Sequence, residues 1–511
     1  MNGLCATSHP LAARVAVDML ERGGNAMDAA IAGAVLLGMC EPQMTGLGGD
    51  CFVLFNRPGS DEVLALNGSG RAPAGADSQA LRAQGHATVP EREVEAITLP
   101  GAVDAFCHLS DTYGTLGLDT LLAPSIRYAE EGVPVAPRVA ADWSAGVAAL
   151  RGHGLRHYTA GGQPLRTGDV FRSPGQAEVL RRIARDGRKG FYEGEVASDM
   201  LATLNAMGGA HTLSDFAATA FSTTVPVCGT YRGIELVEHP PNAQGATAIL
   251  ILNILSHFNL ATLDPLGSQR AHLETEASKL AYDTRNRVIA DPDHTARLDH
   301  ILAPGTARRL AALIDPARAI AVPARLAGAA HRDTVYITVV DRDRMAVSLI
   351  YSIFHSFGSG IASEKFGILF QNRGAGFTLE AGHPNEMGPR KRPMHTIIPG
   401  MLRENGRVTM PFGVMGGQYQ PCGHARLITN MRDFGMDMQT AIDAPRCFAD
   451  SGELRVEDGY WDAVKQELAD LGHKVVAPPT PIGGAQAIRI RPDGVLEGAS
   501  DPRKDGCALG Y

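Results

Sequence analysis

Residues 331–341 read His331-Arg332-Asp333-Thr334-Val335-Tyr336-Ile337-Thr338-Val339-Val340-Asp341, a polar approach running into an apolar, β-branched stretch. Such a run has the composition of a buried strand, which demands a sheet with both faces covered. Thr334 stands at the junction. If the chain were cut before it, the freed α-amine, with a pKa of about 7.7 to 8.0 in model compounds, could act as base for the residue's own hydroxyl. Threonine is also common in strands for its shape alone, so the rest of the chain has to decide.

A chain of 511 residues holds two or three ordinary domains, or one large layered domain with a split sheet system. With 44% hydrophobic and 20% charged residues it has globular composition, which argues against long disordered regions. The net charge of −8 and the lack of a Lys/Arg run exclude a nucleic-acid surface. The densest basic cluster, Pro389-Arg390-Lys391-Arg392-Pro393, is a Pro-bracketed loop suited to a salt bridge or an anion contact. The 8 cysteines are scattered without a CxxC and read as reduced thiols. Among 17 histidines there is no HExxH, so neither a metal nor a cofactor is expected. The start, Met1-Asn2-Gly3-Leu4-Cys5, lacks the regions of a signal peptide, and no apolar run approaches the roughly 20 residues of a membrane span. A cytoplasmic protein without membrane partners is the expectation.

Helical spacing runs from Leu11 to Leu20 and stops at Gly23-Gly24-Asn25, and Ala26 to Cys40 is apolar on every face, as in a buried helix. The loop Gly46-Leu47-Gly48-Gly49-Asp50 then feeds a strand at 51–55. It lies between a helix and a strand and lacks a GK[ST] ending, so it is not a phosphate loop. A second strand covers 62–66. The stretch 110–330 is mostly helical, with the best periodicity at 121–131, 176–185, 196–207 and 269–289, and strands interrupt at 225–237 before the Pro240-Pro241-Asn242-Ala243-Gln244-Gly245 loop. Residues 321–331 are linker-like. Beyond Thr334, strands are expected at 335–340, 345–352, 366–370, 394–402, 453–456 and 486–496, helices at 425–434 and 438–444, and a loop at Gly413-Val414-Met415-Gly416-Gly417-Gln418. Strands, helices and strands in that order point to packed sheets with helices outside.

Many ordered stretches together carry a family resemblance: Ser8-His9-Pro10-Leu11-Ala12, Gly23-Gly24-Asn25-Ala26, Glu41-Pro42 with Gly46-Leu47-Gly48-Gly49, Arg71-Ala72-Pro73, Pro100-Gly101-Ala102, Lys391-Arg392-Pro393, Gly416-Gly417 and the ending Gly498-Ala499-Ser500-Asp501-Pro502-Arg503. Nearly the whole chain resembles the γ-glutamyltranspeptidase family of N-terminal nucleophile hydrolases. The resemblance implies an α+β fold, a four-layer αββα sandwich with two stacked, mainly antiparallel sheets flanked by helices. It implies a precursor cut between Asp333 and Thr334 into a large chain 1–333 and a small chain 334–511, which together build one domain. The product is an αβ heterodimer, with an (αβ)2 assembly left open. Thr334 is implied as the nucleophile, Ser352 as a second hydroxyl that bonds it and assists processing, and Gly416 and Gly417 as oxyanion donors whose missing Cβ atoms admit the substrate.

The donor clamp of the family's γ-glutamyl enzymes is largely replaced. Their arginine falls at Ser69, with Arg71 two residues on; their acidic residue for the α-ammonium falls at Gly376 and a neighbouring amide at Arg373; His395-Thr396 replaces a Ser-Ser pair, and Phe354 an asparagine. Losing polar recognition of that kind costs about 10⁴ to 10⁵ in discrimination. The pattern resembles the acylase and amidohydrolase branch of the family and implies a small acyl-amide substrate carrying a carboxylate, contacted by Arg71, Arg373, His395, Thr396 and Phe354. Two other readings stand beside it: a γ-glutamyl hydrolase or transferase with a rearranged clamp, and an inactive relative serving as a binding or scaffold protein.

Overall fold

The computed structural model describes residues 2–321 and 334–511, so the linker-like stretch from residue 322 onward and Asp333 lie outside the described residues. Two sheets stack on one another. The larger has seven strands in the spatial order Cys507–Gly510, Leu4–Thr7, Val335–Val340, Ala346–Ser352, Asp50–Asn56, Val63–Gly68 and Ser222–Thr224, all neighbours antiparallel. The smaller has six, Leu496–Ser500, Gly484–Ile490, Arg407–Met415, Gly400–Glu404, Ile234–Glu238 and Val227–Tyr231, again antiparallel. Strands from before and after Thr334 are intermixed in the larger sheet and meet in the smaller one.

The period of two along Val335–Val340 sets the layering. Val335, Ile337 and Val339 join one apolar cluster with the helices Pro10–Glu21 and Ala26–Cys40 on the outer face. Tyr336 points the other way, with Phe52 and Ile350 on its face, toward the smaller sheet. At Gly413 an added Cβ would come 2.4 Å from the Tyr336 ring, so the close approach of the sheets needs glycine there. Helices Gly245–Leu255, Ser268–Val288 and Gln420–Arg432 cover the smaller sheet's outer face, where Phe412 packs on His424 and Val414 faces Gly423. The result is the expected helix–sheet–sheet–helix sandwich. The apolar stretch 26–40 is a helix buried at every position, opened by an Asn25/Asp28 capping box.

Three expectations fail locally. Residues 366–370 are buried but form only an isolated bridge, Ala362 to Leu369, flanked by single backbone hydrogen bonds from Phe370 N–H to the Ile361 carbonyl and from Ser363 N–H to the Ile368 carbonyl. Of the stretch 394–402 only Gly400 onward is strand; before it, side chains take the backbone donors, Asn385 from Met394 and Gln420 from Ile398. Conversely Arg407–Met415, whose Pro411 and Gly413 argue against a central strand, is one.

Candidate active site

The pair Tyr351–Val335 ends the ladder between the two central strands, which leaves Thr334 beside Ser352. Ser352 is in turn the register partner of Asp50. By strand parity Thr334 shares the face of Tyr336, Ser352 that of Ile350 and Asp50 that of Phe52, so all three point between the sheets. Thr334 Oγ1 lies 3.4 Å from Ser352 Oγ, and both residues are buried. Gly49 passes so close that a Cβ would sit 2.5 Å from the Ser352 carbonyl oxygen, and one on Gly48 would sit 2.1 Å from the Leu369 carbonyl oxygen, so both positions need glycine.

Arg373 enters from a short 3-10 turn, Arg373–Gly376, and is fully buried. One terminal nitrogen donates to Ser352 Oγ at 3.1 Å and the other to Thr396 Oγ1 at 3.0 Å. Its guanidinium lies 4.0 Å over the Phe354 ring, and the Phe354 N–H donates to Ser352 Oγ at 2.9 Å. Phe354 holds a positive φ of 80°, a strained backbone for an aromatic residue. Burial lowers the Arg373 pKa to about 9 against the opposing pull of Asp50. Among the described residues no carboxylate forms an ion pair with Arg373, and its buried Nε has no hydrogen-bond partner.

The other sequence candidates separate. His395 is fully buried and its Nε2 faces Asp50 Oδ2 at 3.2 Å, while Nδ1 accepts the Ile397 N–H at 3.4 Å. Burial, with Arg373 adding to it, holds its pKa well below the ordinary imidazole value, so the ring is neutral rather than an anion-binding cation. Arg71 pairs with Asp291 at 3.1 Å and the Arg390 carbonyl at 3.0 Å, partly exposed. From the basic cluster it is Arg392 that turns inward, donating to the Ser69 carbonyl at 2.9 Å. Ser69 bonds Asn67 Oδ1 at 2.6 Å, and Asn67 bonds Asn242 at 2.8 Å.

Gly416 (φ 124°) and Gly417 (φ 55°) follow Arg407–Met415 and open the turn into Gln420–Arg432; a Cβ on Gly416 would meet Gly483 Cα at 2.9 Å. Gln244 ties this loop to the pocket, donating to the Thr396 carbonyl at 2.6 Å and the Gly417 carbonyl at 3.4 Å. Sequence reasoning passed over Asp50, Gln244 and Gln371. Only the loop character of 46–50 and 240–245 was visible.

Elsewhere His272, Glu276 and His473 form a buried group of metal-ligand type. It is internally satisfied: His272 Nδ1 and His473 Nε2 share a 2.8 Å hydrogen bond, and the Lys279 ammonium sits 2.6 Å from Glu276, where a cation would bind. Among the described residues no helix is long and apolar enough to cross a membrane.

The chain is similar to known proteins along nearly its whole length. The gamma-glutamyltranspeptidase family profile matches residues 12–511. The glutathione hydrolase-like YwrD proenzyme of Bacillus subtilis is 36% identical, over 98% of this chain and 97% of its own. The oxamate amidohydrolase proenzyme of Klebsiella pneumoniae is 35% identical, over 100% and 98%. The crystal structure of cephalosporin acylase from Bacillus halodurans superposes with a TM-score of 0.93 at 37% identity, covering 100% of this chain and 96% of that one. The chain therefore belongs to the gamma-glutamyltranspeptidase family of N-terminal nucleophile hydrolases, enzymes that hydrolyse or transfer amides.

Proposed function

We propose that this protein is an autoprocessing amidohydrolase with Thr334 as its nucleophile, acting on a small acyl-amide that carries a carboxylate. In the precursor the Thr334 hydroxyl attacks the Asp333 carbonyl, and hydrolysis of the resulting ester leaves chains 1–333 and 334–511. In the mature enzyme Thr334 Oγ1 attacks the substrate amide and passes its proton to its own α-amine, which returns it to the leaving amine; water then releases the acyl group. The N–H groups of Gly416 and Gly417 hold the oxyanion, each such donor worth about 3 kcal/mol of barrier.

One observation carries the substrate reading: a buried guanidinium in no direct ion pair with a carboxylate, though within the pull of Asp50, stands one hydroxyl away from Thr334, through contacts of 3.1 and 3.4 Å. A buried cation with free donor capacity and no directly bonded carboxylate is suited to an anion, and a substrate carboxylate would supply it. The short path suits an acyl group of about two or three carbons; a longer diacid would have to fold back. The name of the oxamate amidohydrolase relative supports that length. The glutathione hydrolase-like relative favours a γ-glutamyl donor instead, and one experiment separates the two.

The test is intact mass after expression, followed by an amide panel of oxamate, malonamate, succinamate, glutaramate and a γ-glutamyl anilide. Two fragments and preferential turnover of the shortest half-amides are expected. An active protein that stays uncut would refute the nucleophile, and preference for the γ-glutamyl anilide would refute the acyl group.

A further inference from the structure

We propose that Asp50 is a positioning residue for the acyl pocket, fixing the orientation of Arg373 from both sides and thereby setting the preference for a carboxylate-bearing substrate. The proposal rests on the amidohydrolase reading above. Asp50 is fully buried, and both its oxygens are engaged. Oδ1 accepts the N–H of Gly70 at 2.8 Å, the N–H of Gly101 at 3.1 Å and Nε2 of Gln371 at 2.9 Å. Oδ2 faces Nε2 of His395 at 3.2 Å. Because His395 Nδ1 accepts from the Ile397 N–H, the ring proton belongs on Nε2, and the imidazole donates to Asp50.

These links enclose Arg373. Gln371 lies two residues before it, so one arm of the carboxylate holds the turn that carries the guanidinium. His395 precedes Thr396, whose hydroxyl accepts from Arg373, so the other arm holds the partner on which the guanidinium rests. Asp50 is also the register partner of Ser352, the remaining acceptor of Arg373. The carboxylate thus braces the segments that carry Arg373 and Thr396, while the Asp50 backbone pairs with that of Ser352, without touching the reacting atoms.

Substitution by asparagine distinguishes this role from plain packing. The amide nitrogen would present N–H groups either to the backbone donors or to the His395 N–H, a donor facing a donor, and one arm must let go. Asp50→Asn and Asp50→Ala would be assayed on a short half-amide and on its uncharged analogue with a methyl group replacing the carboxylate. The ratio of kcat/KM for the charged over the uncharged amide is expected to fall at least tenfold, with cleavage into two fragments retained. An unchanged ratio, including equal loss on both substrates, would overturn the proposal. Gln371→Met, which releases one arm and keeps the carboxylate, covers the case in which the Asp50 variants do not fold; its ratio should fall at least threefold, and an unchanged ratio counts against the proposal. If the wild-type protein hydrolyses neither amide, the substrate reading fails separately. Calorimetric binding of malonate to the cleaved protein then decides on Asp50: at least tenfold weaker in Asp50→Asn supports it, and equal affinity refutes it.

Discussion

Ser352 and Asp50 face each other across one rung of the central ladder, and the hydroxyl and the carboxylate emerge on the same side of the sheet. Thr334 flanks the first and Arg373 reaches over to it, so the proposed nucleophile, its neighbour and the acyl-binding cation are all indexed to a single strand register. A slip of one residue would turn the set toward the outer helices.

Replacing the proposed nucleophile should separate chemistry from folding. Thr334→Ala is expected to remain one uncut chain of 54.0 kDa without amide hydrolysis, while Thr334→Ser should still cut. Mass spectrometry of the purified proteins reads both outcomes directly.

Ser352 accepts from a guanidinium, and hydrogen bonds to charged groups contribute about 1.5 to 3 kcal/mol. Ser352→Ala should slow both self-cleavage and amide turnover by about 10- to 100-fold. A time course of fragment appearance and steady-state rates check this.

Arg373→Met leaves the Phe354 ring without its cation and the substrate carboxylate without a partner. Loss of about 10²-fold in kcat/KM is expected for a half-amide, with much less for an uncharged amide. Parallel kinetics on both substrates settle it.

Glu41 gives a pH signature in stability. Burial raises its carboxyl pKa from 4.5 to about 7, against the pull of Lys504 and the Ser8 hydroxyl that donates to it. A raised folded pKa means the native state keeps a proton that the unfolded chain releases, so stability falls as pH rises from 4.5 to about 7, by about 3 kcal/mol. Urea melts at pH 5 and 7.5 should show that slope in the wild type and a flatter one in Glu41→Gln.

Gly49→Ala would drive a methyl group to within 2.5 Å of the Ser352 carbonyl. A loss of about 1 to 3 kcal/mol in stability is expected, together with slower cleavage, because the displaced residue adjoins Thr334. Thermal melts and fragment time courses report the two effects.

The layers were legible because periodicity reports them locally: the helix at 26–40 matches the apolar run residue for residue, and the strand after Thr334 begins where the β-branched run does. Arg407–Met415 was hidden because Pro411 and Gly413 break strand patterning, and only the packing of Tyr336 against Gly413 explains the glycine. Thr334, Ser352, Arg373, Thr396 and Phe354, all named from the family resemblance, lie together in space. Asp50 escaped because its partners Gly70, Gly101, Gln371 and His395 are distant in sequence, and an acid after glycines looks like any loop end. Arg71 and His395 misled for a related reason. A side chain's charge is visible in sequence, but its protonation and the direction it turns depend on what surrounds it.

The strand Leu4–Thr7 is paired on one side with Val335–Val340 and on the other with Cys507–Gly510. If the chain is severed ahead of Thr334, the first fragment still has a strand gripped between two strands of the second, while Asp50–Asn56 and Ile234–Glu238 each border a further one. Pulling the pieces apart would mean unzipping both sheets at once. The break in the backbone would behave like a dovetailed joint in carpentry, held by the interlocking of its parts, with both large apolar clusters drawing side chains from each fragment.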